Sequence, residues 1–103
     1  MVEVANTPEV FTQLINSLGY TSVMDFAREQ AKGIILQKIA YYKSRIDFFE
    51  QKYGMTFDAF CQTFEQIKQH SIFEKEDDSI VWESSFDVVN AYQKDLLMLN
   101  QRN

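Results

Sequence analysis

The run from Ser22 to Tyr53 contains no proline and is closed by Gly54, so nothing in it forbids one uninterrupted helix. Ile35, Ile39, Tyr42, Ile46, Phe49 and Tyr53 step alternately by four and three residues, the spacing of a packed helical seam. Ile34, Tyr41 and Phe48 recur every seventh residue beside that seam and widen the apolar stripe enough for more than one partner. Ser22 and Asp25 have the form of a capping box at its start, and Gly33 is the one poor helix former inside. A bend at Gly33 and a close backbone crossing there are both open.

Such a helix is about 48 Å long at 1.5 Å per residue. A globule of this chain length has a radius of gyration of about 13 Å, so the rod would overhang its own domain. An overhanging apolar stripe needs a second chain to cover it. The sequence therefore predicts a homodimer, with Ile35, Ile39, Tyr42 and Ile46 as the dimer seam.

The rest of the chain also predicts helices. An apolar fraction of 46% excludes disorder, and three Gly with one Pro are too few for a turn-rich β protein. Residues 1–6 are expected to be a flexible arm. Thr7-Pro8-Glu9 opens a short helix over 8–18, with Val10, Phe11, Leu14, Ile15 and Leu18 as its apolar stripe and Gly19 as its stop. The long helix covers 22–53. Thr56 caps a third helix over 57–70, where Phe57, Phe60, Phe64 and Ile67 face back onto the end of the long one. Ser71 to Ser79 reads as an acidic connector. A last helix covers 80–101, carried by Trp82, Phe86, Val89, Tyr92, Leu96 and Leu99, although a start at Ser85 also fits. The expected fold is all-α: a single domain of 1–103 in which the long central helix forms an antiparallel helical hairpin within a small bundle.

Charge narrows the partners. Residues 1–54 hold six Lys/Arg against six Asp/Glu, and residues 55–103 hold four against nine, so the whole net charge of −5 lies in the second half. That argues against binding nucleic acid alone or an anionic membrane, both of which call for a basic face. It suits a basic protein partner. The opening residues lack the basic and apolar segments of a signal peptide, and one cysteine cannot form an internal disulfide, so a cytoplasmic location is expected.

Chemistry finds little support. His70 has no second histidine to share a metal, and Cys61 has no base nearby in sequence. A calcium loop counted from Glu74 would need Gly and Glu where Ser79 and Ser85 stand. We therefore expect no enzyme activity, no cofactor and no metal. A partner would dock on the acidic run, with Glu74, Glu76, Asp77 and Asp78 supplying charge and Phe73 or Trp82 the apolar anchor; the alternative is that Phe73 and Trp82 seal the end of the hairpin while the carboxylates keep the protein soluble.

Two motifs carry a resemblance. The run from Phe48 through Tyr53-Gly54-Met55-Thr56-Phe57 to Phe60, followed by Glu76-Asp77-Asp78-Ser79-Ile80-Val81-Trp82-Glu83, resembles short helical proteins of prokaryotic toxin–antitoxin loci. The resemblance spans roughly residues 35–99 and implies an acidic antitoxin that binds and neutralises a basic toxin, with no catalytic residues. The alternative is a helical structural or adaptor protein that uses the same surfaces on another macromolecule.

Overall fold

In the computed structural model, which describes residues 8–101, every regular element is a helix, and no strand occurs among the described residues. Helix α1 spans Pro8–Ser17, α2 Val23–Tyr53, α3 Phe57–Gln62 and α4 Ile72–Asn100, with a 3-10 turn at Phe64–Gln66 after α3. The expected flexible arm and the cap at Thr7 lie outside the described residues. Contacts divide the chain into two compact units after Ile34, where the sequence suggested one domain. α2 runs on through Gly33 as one helix. No atom lies within 4 Å of where a Cβ on Gly33 would stand, so no backbone crosses there.

The first unit holds α1 and the opening turns of α2. Gly19, at φ 99°, ends α1 with two reversed bonds: its N–H donates to the Asn16 carbonyl and that of Tyr20 to Ile15. Only a residue tolerant of positive φ closes a helix this way. Ser22 accepts the Asp25 N–H at 3.0 Å as the predicted cap of α2. The Asp25 carboxylate is engaged with the Thr21 hydroxyl and with Arg28. Ile15 is buried, and Tyr20 meets Phe26 edge-on at 5.2 Å. Phe11, Leu14 and Leu18 of the expected α1 stripe are exposed.

The second unit is a helical hairpin in which α2 packs against α4. Ile39, Ile46, Phe49 and Tyr53 of α2 meet Trp82 and Val89 of α4, and Phe60 and Ile67 close the end. Trp82 is the centre: its ring stacks near-parallel on Phe49 and Tyr53, and Phe57 and Phe60 tilt against it at 5.2 and 5.1 Å.

Two boundaries depart from the expected ones by more than one residue. The third helix stops at Gln62 and not at residue 70. Thr63 leaves helical geometry, its hydroxyl donates to the Ala59 carbonyl, and the chain tightens into the 3-10 turn. Phe60 and Ile67 are buried all the same, through a backbone that has already begun to turn. The last helix starts at Ile72, neither at Ile80 nor at Ser85, so the acidic connector is its first two turns. Ser71 caps it by accepting the Glu74 N–H at 3.1 Å. With 29 residues, α4 is nearly as long as the 31-residue α2.

The four residues expected as a dimer seam pack within the chain itself. Ile39 and Ile46 are buried within the chain, and Ile35 and Tyr42 pack against the same cluster. A second copy would need another face.

Candidate functional site

The acidic start of α4 divides by direction. Glu74 and Asp78 face α2, where Lys52 bridges them at 2.7 and 2.6 Å. The Tyr53 hydroxyl donates to Asp78 at 2.7 Å, and His70 Nδ1 lies 3.2 Å from Glu74. The hydrogen bond from Lys52 holds the Glu74 carboxyl below the usual carboxylate range. Bonding to Asp78, and then to Glu74, raises the Lys52 ammonium. Burial, and then the bond to Asp78, raises the Tyr53 phenol. These carboxylates are part of the hairpin's own fastening, and a docking partner would have to break it.

Trp82, expected as an anchor, is wholly buried and can touch no partner. Phe73 stands 79% exposed, with Glu76 and Asp77 also exposed beside it. The structure thus separates the predicted docking set into an inward half (Glu74, Asp78, Trp82) and an outward half (Phe73, Glu76, Asp77).

Lys75, within the same acidic run, is 3% exposed. Its ammonium donates to the carbonyls of Phe64 and Ile67 at 2.6 and 2.8 Å and lies 4.4 Å from the Phe64 ring centroid. The end of the 3-10 turn leaves the Ile67 carbonyl without a helical partner, and this lysine satisfies it while adding a second donor to the Phe64 carbonyl, which also accepts the Ile67 N–H.

A second acidic feature, which the sequence reading missed, forms an open cleft of about 400 Å³. Phe57 and Phe86, 6.0 Å apart, lie among Glu50 of α2, Thr56 and Asp58 at the start of α3, and Glu83 and Asp87 of α4. Among the described residues none of these four carboxylates has a cationic partner. Nor do they converge as ligands: no three His, Cys, Asp or Glu side chains among the described residues could hold a metal ion. Aromatic walls flanked by separated carboxylates match a long cationic side chain, whose stem packs on the rings while its head meets the charges. Glu50, Thr56, Phe57 and Asp58 fall within the run Phe48–Phe60, and Glu83, Phe86 and Asp87 come from α4, so half of the cleft lay in one sequence motif and the other half joins it only with the fold.

Cys61 is exposed, and its thiol is pushed up, first by local desolvation and then by the charges of Asp58 and Glu83. A thiol held protonated is a poor nucleophile. No described helix is long and apolar enough to cross a membrane. Compared with family models, curated proteins and solved structures, the chain matches none.

Proposed function

We propose that this chain is a non-enzymatic interaction protein of the cytoplasm, the acidic antitoxin member of a toxin–antitoxin pair, which holds a basic partner protein and pairs with a second copy. The observation that carries the partner reading is the cleft: four carboxylates without a cation around Phe57 and Phe86. Unpaired like charges on one rim repel one another, and a basic partner would relieve that repulsion while covering two aromatic rings. Opposite charge also steers encounter, which suits a protein that must reach a toxin before the toxin's target does. The motif at Phe48–Phe60 supports the same reading, since its Glu50, Thr56, Phe57 and Asp58 line one side of the cleft.

The test is a binding measurement against the product of the adjacent reading frame. The expected result is a complex that weakens with salt, together with relief of that product's toxicity when the two are co-expressed. The variant Glu50→Gln, Asp58→Asn, Glu83→Gln, Asp87→Asn should fold and bind at least about tenfold more weakly at low salt. Binding without any toxicity to relieve would favour an adaptor. Equal binding by the variant would overturn the cleft.

A further inference from the structure

Two rows, exposed except for the half-buried Arg45, lie outside the hairpin core and share one spacing. On α2, Tyr41, Arg45 and Phe48 are spaced by four and three residues, and Lys38 precedes them by three. On α4, Phe73, Asp77 and Ile80 are spaced by four and three, with Glu76 beside them. Tyr41 and Phe48 are 53% and 59% exposed, and Phe73 and Ile80 79% and 66%. This is the spacing of a coiled-coil seam in which apolar residues alternate with charged ones.

The charges are opposite. The α2 row carries only cations and the α4 row only anions. Arg45 is turned onto its neighbour, bonding the Tyr41 hydroxyl at 3.2 Å with its guanidinium over the ring. Among the described residues neither Lys38 nor Arg45 meets a carboxylate, and neither Glu76 nor Asp77 meets a cation. The rows do not cover each other within one chain, because α2 meets α4 through Phe49, Tyr53 and Lys52 on one side and Trp82 and Asp78 on the other.

Like charge forbids either row from lying on its own duplicate: α2 on α2 would set Arg45 and Lys38 against cations, and α4 on α4 would set carboxylates together. Each row complements the other. We infer that two copies of this chain pair with the α2 row of each against the α4 row of the other. A two-fold pair of this kind makes the contact twice and leaves no open end. The inference rests on the pairing part of the reading above and is independent of the basic partner. It also leaves Ile35, Ile39, Tyr42 and Ile46 in the chain's own core.

Sedimentation at about 50 µM, within reach of the micromolar affinities that modest interfaces give, should return twice the 12.1 kDa chain mass. Lys38→Glu with Arg45→Glu, and separately Glu76→Lys with Asp77→Lys, should each weaken self-association at least about tenfold, each now opposing like charges. Mixing the two variants should restore a dimer, because the swapped rows attract. The fourfold variant should also regain self-association, which guards against one double variant simply failing to fold. A monomer for the unaltered chain overturns pairing altogether. A dimer indifferent to both swaps, or swaps that neither mixing nor the fourfold variant repairs, overturns this surface and leaves pairing standing.

Discussion

The ammonium of Lys75 donates to the carbonyl of Ile67 at 2.8 Å, across the segment where the third helix gives way to the fourth. It donates a second bond to the Phe64 carbonyl at 2.6 Å, which also accepts the Ile67 N–H at 3.3 Å, so of the two it is the Ile67 carbonyl that relies on the ammonium. Lys75→Met keeps the aliphatic stem and removes the donor. The loss of each buried bond costs about 1–3 kcal/mol, so urea unfolding should show the variant at least about 2 kcal/mol less stable. A loss below about 0.5 kcal/mol would mean that water replaces the ammonium freely.

Tyr53 and Lys52, which share Asp78, link the stability of the fold to alkaline pH. Both hold their protons more tightly when folded than their ordinary values, about 10 and 10.4, allow. Their contribution is complete below those values and is lost as the pH rises beyond them, because the unfolded chain releases protons that the folded chain keeps. Stability should therefore fall from about pH 10 upward. Tyr53→Phe should lower stability at pH 7 through the lost hydrogen bond but flatten the decline above pH 10, as followed by thermal melts across that range. An unchanged slope would show that the phenol titrates as it does in the unfolded chain.

Gly33 offers a stabilising change. It lies in mid-helix with open space where a methyl group would stand, and its backbone is helical. Gly33→Ala should add about 0.5–1 kcal/mol by helix propensity alone. The melting midpoint reads this directly, and a destabilised variant would mean that α2 must flex at this position.

What could be read ahead in the sequence follows from which residues face inward. α2 was legible because the positions it buries, Ile39, Ile46, Phe49 and Tyr53, are all apolar. The start of α4 was not, because its inward positions are Glu74, Lys75 and Asp78, which bond to Lys52, Phe64 and Ile67. Their step of three or four residues continues through Trp82, Ser85 and Val89, but a search for apolar periodicity starts counting only at Trp82. The signal that survived was Ser71 followed by Glu74, a capping pair at the true start. In the third helix the apolar spacing held while the backbone changed, since Ile67 reaches the core from extended geometry. The cleft around Phe57 and Phe86 was illegible for a different reason: its two halves are far apart in sequence and meet only after the hairpin closes.

Trp82 provides a last test, because its burial makes packing and docking separable. Its indole N–H is buried with no hydrogen-bond partner among the described residues, while its ring touches Phe49, Tyr53, Phe57 and Phe60. An unpaired buried donor costs about 1–3 kcal/mol. Trp82→Phe removes that donor along with part of the ring, so the two effects oppose each other and the net loss should stay under about 2 kcal/mol. Trp82→Ala removes the same donor but opens a far larger cavity and should cost about 3–5 kcal/mol, a large share of what a chain of this size has to lose. Partner binding should survive Trp82→Phe, since the side chain reaches no surface. As the sole tryptophan it reports on itself: its emission should be blue-shifted and resist acrylamide until the fold opens. Ready quenching of the native protein would show that Trp82 reaches solvent, and the docking role assigned to it from the sequence would return.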